Sequence, residues 1–167
     1  LIYPFAKRFT YWPQFFLGIS FNWGILLAYA ANSGKLDFFC IGLYVSAIAW
    51  TIFYDTIYSF QDIEDDKEVG IKSTGILFEE KPKYLSIFIA IIIMVAGFVF
   101  YSLSDGDFVQ IFILTSGIFF FSLHLTFQLL KLDIRNREGC LETFKSNRTA
   151  GLILTVFMML ATLTKFF

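Results

Sequence analysis

The stretch Ile89-Ala90-Ile91-Ile92-Ile93-Met94-Val95 decides the fold class. Its apolar side chains follow one another without alternation, which excludes a barrel strand with one wet face and one lipid face. The run extends in both directions, from residue 84 to residue 104, without a single charge. A hydrocarbon core of roughly 30 Å is crossed by about 17–25 helical residues, so this segment is read as a transmembrane helix. Working outward, four more spans are read at residues 14–32, 38–60, 108–130 and 149–166. The charges within them are Asp55 in the second of these spans and Lys165 at the close of the last, where a long side chain snorkels. The expected fold is all-α and integral to the membrane: five transmembrane helices in a single domain over residues 1–167.

Composition agrees with that reading. Of 167 residues, 57% are hydrophobic and 16% charged, against about 45–50% and 25% in soluble domains. A net charge of −1 provides no basic field for nucleic acid. Cys40 and Cys140 fall near opposite faces of the bilayer, so neither a disulfide nor a metal site is expected from them. Lys7-Arg8, the following apolar stretch and Ala28-Tyr29-Ala30 imitate a secretion signal, but Pro13 and Asn22 interrupt the apolar region and four more spans follow. Because the first residue is Leu, the sequence is expected to begin within a longer protein.

The linkers orient the bundle. Of the 13 basic residues, all except Lys35 and Lys165 fall before the first span, between the second and third, or between the fourth and fifth. Positive loops stay on the cytoplasmic side, so those alternate loops share that face, opposite Lys35, Asp37, Asp105, Asp107 and Lys165.

The second span ends in acid rather than in polar filler. It closes Tyr54-Asp55-Thr56-Ile57-Tyr58-Ser59-Phe60-Gln61-Asp62-Ile63-Glu64-Asp65-Asp66, followed by Gly70-Ile71-Lys72-Ser73-Thr74. If the helix continues past its apolar part, a step of about 100° per residue sets Asp62 and Asp66 about 40° apart, with Asp55 and Tyr58 on the same side. An unpaired intramembrane carboxylate is costly at the centre and less so near the edge, so Asp55 points to a functional partner. Like charges one turn apart also repel, so a cation is expected there. Mg²⁺ takes one or two carboxylates together with water and phosphate oxygens, and a diphosphate is the natural third party. The glycine-lysine loop of nucleotide-binding proteins is excluded, because residue 65 is Asp and Ile71 separates Gly70 from Lys72. Lys72, Ser73 and Thr74 still offer donors to a phosphate.

These acidic and glycine-lysine blocks resemble the second aspartate-rich motif of the membrane prenyltransferases called the UbiA family. The stretch Tyr3-Pro4-Phe5-Ala6-Lys7-Arg8-Phe9-Thr10-Tyr11-Trp12-Pro13-Gln14, with Leu17-Gly18 and Phe21-Asn22-Trp23-Gly24, is similar to the branch acting on 4-hydroxybenzoate. A weaker third block is Cys140-Leu141 with Phe144-Lys145-Ser146-Asn147 and Gly151. The resemblance implies Mg²⁺ as cofactor and polyprenyl diphosphate and 4-hydroxybenzoate as substrates. The prenyl group would go to the ring carbon beside the hydroxyl, in ubiquinone biosynthesis. It implies Asp62 and Asp66 as metal ligands and Asp55, Asp62, Asp66 and Tyr58 as the catalytic set. Lys72 is the leading candidate to hold the diphosphate, Lys7 a second, and Arg8 the candidate for the benzoate carboxylate; Asn147 and Arg148 would face substrate. A bacterial or mitochondrial inner membrane is implied, with the site on the cytoplasmic or matrix side.

The family bundle has roughly nine helices and a first aspartate-rich motif ahead of the tyrosine-proline block. The chain is therefore expected to be the C-terminal part of that bundle, lacking its N-terminal half, and inactive alone. Sibling enzymes with naphthoate, haem or chlorophyllide acceptors are the nearest alternative. A cation-coupled transporter is a more distant one, which predicts broken helices and a site at the midplane. His124 is read as a hydrogen-bonding residue within the bundle, and Trp12, Trp23 and Trp50 as packing or interface residues. Residues 131–147 alternate apolar and charged, so an interfacial helix or a cap over the site is expected there.

Overall fold

The computed structural model describes residues 3–103 and 107–164, and the positions read at Leu1, Asp105 and Lys165 lie outside these. Five helical segments are long and apolar enough to cross a membrane, and among the described residues there is no strand. In chain order the helices are α1 (Tyr3–Phe9), α2 (Pro13–Asn22), α3 (Gly24–Ser33), α4 (Phe38–Ser59), α5 (Ile63–Val69), α6 (Thr74–Phe78), α7 (Ser86–Leu103), α8 (Phe108–Lys131) and α9 (Arg137–Leu163). Short 3₁₀ turns cover Phe60–Asp62 and Pro82–Leu85.

Local chemistry sets where the long helices begin. Asp37 caps α4, its Oδ1 accepting from the backbone N–H of Phe39 and Cys40 at 3.1 and 3.2 Å. Asp107 caps α8 through Val109 N–H at 2.9 Å, and Asn136 caps α9 through Gly139 N–H at 2.9 Å. Each side-chain oxygen satisfies donors that the first helical turn leaves orphaned. Burial pushes the Asp37 carboxyl up, but the Cys40 N–H, the Tyr29 hydroxyl and Lys35 together hold it below the usual carboxylate range.

Helix α4 is the hub. It packs against α2, α3, α6, α7 and α9, while α8 bridges α7 and α9. In α4, 44% of the most apolar window is buried, against 11% in the first span and 17% in α9. Phe53, Ile57, Leu85, Val99, Phe121 and Leu125 form the tightest part of the core. At roughly 1.5 Å per residue, the 22 residues of α4 are enough to cross a bilayer by themselves.

Two expectations change. The first span is not one helix: α2 gives way to α3 at Trp23. There Asn22 turns its amide sideways, donating to Thr51 Oγ1 of α4 at 2.7 Å as well as to its own Gly18 carbonyl at 2.9 Å. This is the mid-span break a transporter would show, yet the acidic cluster stands at the far end of α4. Residues 131–147 are not an interfacial helix either. Only a short turn follows Lys131, and α9 starts at Arg137 and runs unbroken to Leu163, carrying Lys145 and Arg148 on its third and fourth turns. The cap by Asn136 starts the helix early, and long basic side chains tolerate the membrane boundary by snorkelling.

Candidate functional site

Three segments meet at one end of the bundle. The Lys72 N–H donates to the Lys7 carbonyl at 2.8 Å, joining α1 to the loop after α5. Arg137, at the start of α9, reaches Glu64 at 2.9 Å and Asp65 at 3.5 Å on α5. Lys67 pairs with Glu79 at 2.6 Å. The basic linkers flagged by their charge therefore converge around α5.

The acidic stretch is not a straight continuation of α4. It passes through the 3₁₀ turn Phe60–Asp62 before α5 begins. Residues in such a turn advance about 120° each instead of 100°, so the turn swings Asp62 by about 60° from the alignment expected with Asp55. Asp62, at the N-cap of α5, and Asp66 in its first turn stand about one helical turn apart. Asp55 remains half-buried near the end of α4. Tyr58 is exposed and its ring lies 5.0 Å from that of Phe144 on α9, centroid to centroid.

The carboxylates of α5 divide into two sets. Glu64 and Asp65 are exposed and taken by Arg137. Asp66 is only 7% exposed, and its buried Oδ2 has no hydrogen-bond partner among the described residues. A buried carboxylate oxygen left without a donor is costly unless something cationic meets it. Gly70 ends α5 at φ 73°, the left-handed conformation that favours glycine, and Ile71 N–H returns to the Asp66 carbonyl at 2.8 Å. The chain thereby turns back toward α1. A cavity of about 700 Å³ lies on the other side of α5, lined by Gln61, Glu64, Lys67, Glu79, Arg135 and Arg137, and neither Asp62 nor Asp66 belongs to its wall.

No group of three or more His, Cys, Asp or Glu side chains stands arranged for a metal among the described residues. Asp62 and Asp66 are a pair, as many as Mg²⁺ needs from one side. The orphaned Asp66 Oδ2 and the like charge beside it fit a divalent cation.

Of the two lysines, Lys7 is half-buried on α1 and its carbonyl accepts from the Lys72 N–H. The Lys72 ammonium instead lies 3.5 Å from the Phe9 carbonyl and 5.4 Å from the centre of the Tyr11 ring. Arg8 is exposed at the end of α1. Asn147 is buried, and its amide is already engaged: Oδ1 accepts from Trp50 Nε1 at 3.0 Å, and Nδ2 donates to the carbonyls of Thr143 and Phe144 at 3.3 and 3.2 Å. This geometry locks α4 to α9. Asn147→Leu is expected to cost about 1–2 kcal/mol, because it strands the Trp50 N–H. Thermal unfolding in detergent checks the loss, and substrate KM values for the folded fraction stay within about twofold of the parent. His124 Nε2 lies 3.2 Å from the Ser146 carbonyl, also within the α8–α9 contact.

Gln14 and Thr56 carry no role in the sequence reading, and Thr74, read there as a phosphate donor, is joined to both. Gln14 Oε1 accepts from Thr74 N–H at 3.2 Å, and Thr74 and Thr56 share a hydroxyl hydrogen bond of 2.6 Å. The available signal was an amide at the head of an otherwise apolar span, where a polar group needs a partner.

Five helical segments able to span a membrane, with an acidic pair and basic residues gathered at one end, define a membrane-embedded protein. The chain belongs to the UbiA prenyltransferase family, whose model matches residues 1–163. It is 42% identical over 165 residues to 4-hydroxybenzoate polyprenyltransferase, mitochondrial, of Bos taurus, covering 98% of this chain and 43% of the relative. The Homo sapiens protein of that name is 40% identical, with 99% of this chain and 44% of the relative covered. The Dictyostelium discoideum protein is 39% identical, with 98% and 35% covered. The chain thus spans less than half the length of these relatives. No solved structure matches it.

Proposed function

We propose that this chain supplies the C-terminal half of an enzyme that transfers a polyprenyl group from polyprenyl diphosphate to 4-hydroxybenzoate, at the ring carbon beside the hydroxyl, in ubiquinone biosynthesis. The observation that carries the reading is the buried, unpartnered Asp66 carboxylate four residues from Asp62, in a chain 40% identical to 4-hydroxybenzoate polyprenyltransferase, mitochondrial, of Homo sapiens.

Asp62 and Asp66 would hold Mg²⁺, which supplies charge stabilisation for the departing diphosphate. Lys7, whose backbone is tied to the turn after α5, would neutralise diphosphate oxygens as charge develops on them, where electrostatic catalysis is strongest. Lys72 joins it once its ammonium leaves the Phe9 carbonyl. The exposed guanidinium of Arg8 offers two parallel donors to the planar benzoate carboxylate. Asp55 and Tyr58 are assigned to the wall nearest the allylic carbon, and the apolar helix faces exclude water from it. The first aspartate-rich half of the site belongs to the N-terminal half of the enzyme. The basic end of the bundle faces the matrix, or the cytoplasm in a bacterium.

The test is an assay of the full-length protein, in detergent or nanodiscs, for prenylated 4-hydroxybenzoate. Turnover dependent on both substrates is expected; turnover with a naphthoate but not with hydroxybenzoate would move the assignment to a sibling enzyme. Arg8→Ala is expected to raise KM for 4-hydroxybenzoate by roughly tenfold or more while leaving KM for the prenyl diphosphate within about threefold. Initial rates with each substrate varied in turn check this.

A further inference from the structure

Gln14 is 1% exposed, at the head of α2 just after Pro13. Its Oε1 accepts from the N–H of Thr74, the first residue of α6, at 3.2 Å. That N–H has no partner within its own helix, because the first turn lacks preceding carbonyls. Thr74 and Ser73 are both 0% exposed. With the Thr56 hydroxyl proton given to the Ile52 carbonyl at 2.6 Å, Thr74 is the donor in the 2.6 Å bond between the two hydroxyls. Gly75 sits so close to α4 that a Cβ there would stand 2.5 Å from Ser59 Oγ and 2.9 Å from the Ser59 carbonyl oxygen. The turn into α6 is therefore seated on α4 from below and tied to α2 from the side.

Two residues earlier in the chain, the Lys72 N–H holds the Lys7 carbonyl at 2.8 Å. The 7–14 segment and the 72–74 turn are stitched at both ends, once by Lys7 with Lys72 and once by Gln14 with Thr74. From this arrangement we infer that Gln14 is a positioning residue for the diphosphate grip: its buried amide fixes the Lys72-Ser73-Thr74 turn, and the turn in turn fixes the Lys7 backbone through the bond between Lys72 and Lys7. Gln14 acts through the loop and touches no reacting atom. The inference rests on the function proposed above. A side chain of equal length without an acceptor leaves a buried donor unpaired, and the turn then relieves that by leaving its seat.

The test uses the full-length protein and inorganic pyrophosphate with Mg²⁺, followed by calorimetry. Gln14→Met is expected to weaken pyrophosphate binding roughly tenfold and to raise KM for the prenyl diphosphate by a similar factor, with a smaller change in kcat. Gln14→Glu keeps an oxygen acceptor at the same reach and is expected to restore affinity to within about threefold of the parent. A purely structural role would lower the melting temperature of Gln14→Met without altering the affinity of its folded fraction, and that result overturns the inference. Should Gln14→Met not fold, Gly75→Ala displaces the same turn while leaving the amide in place; it must weaken pyrophosphate binding comparably, and parent-like affinity overturns the inference. A parent protein that binds no pyrophosphate contradicts the proposed function and the inference with it. A parent that binds, beside variants that bind equally well, contradicts the inference alone.

Discussion

Asp66→Asn and Asp62→Asn, each made in the full-length protein, lower kcat/KM for prenyl transfer by roughly 10²–10³-fold, the range seen when one group stabilising transition-state charge is removed. Asparagine preserves shape but withdraws the charge and offers a donor where the bound cation needs an oxygen. The burial of Asp66, with Oδ2 unpartnered, makes it the more sensitive position. The controls are one and two residues away. Glu64→Gln and Asp65→Asn alter exposed carboxylates that Arg137 already pairs, and exposed pairs of this kind contribute little. Rates within about threefold of the parent are expected for both. Steady-state kinetics with magnesium saturating for the parent separate the two sets.

Phe53→Ala is expected to destabilise the protein by about 3–5 kcal/mol, the range for truncating a fully buried aromatic side chain. Phe53 is 0% exposed, in the C-terminal half of α4, the helix that α2, α7 and α9 all pack against. Its loss leaves a cavity at the hub, where several helices would have to move together to refill it. The measurement is thermal or denaturant unfolding in detergent. Phe119→Ala, on the exposed face of α8 where 61% of the side chain is open, serves as the comparison and should shift the transition little.

The helical membrane class was legible in runs such as Ile89 to Val95 because a bilayer demands long apolar helices whatever their packing. The acidic stretch stands out in the sequence because carboxylates at a membrane edge contrast with apolar surroundings, and the structure brings Glu64 and Asp65 of it to Arg137. The break in geometry at Phe60–Asp62 was not: a 3₁₀ turn and an α-helix differ by one hydrogen-bond step, and no glycine or proline marks the change. Residues 131–147 misled for another reason. Their charges imitate a surface helix, yet Asn136 caps a helix that starts there and continues through the bundle. The bond between Gln14 and Thr74 joins positions 60 residues apart, and no local pattern encodes a partner at that distance. Asn147, read from the resemblance as facing substrate, has its amide oxygen engaged by Trp50 across the α4–α9 contact, a partner 97 residues away that no local pattern encodes.

The central claim is that Asp62 and Asp66 clamp a divalent cation against a diphosphate. Pyrophosphate affinity of the full-length protein, measured across a magnesium series, tests it most directly when the parent is set beside the Asp62→Asn, Asp66→Asn double variant. The account predicts that affinity climbs with magnesium in the parent and stays weak and nearly flat in the double variant. An identical magnesium dependence in the two proteins would contradict it.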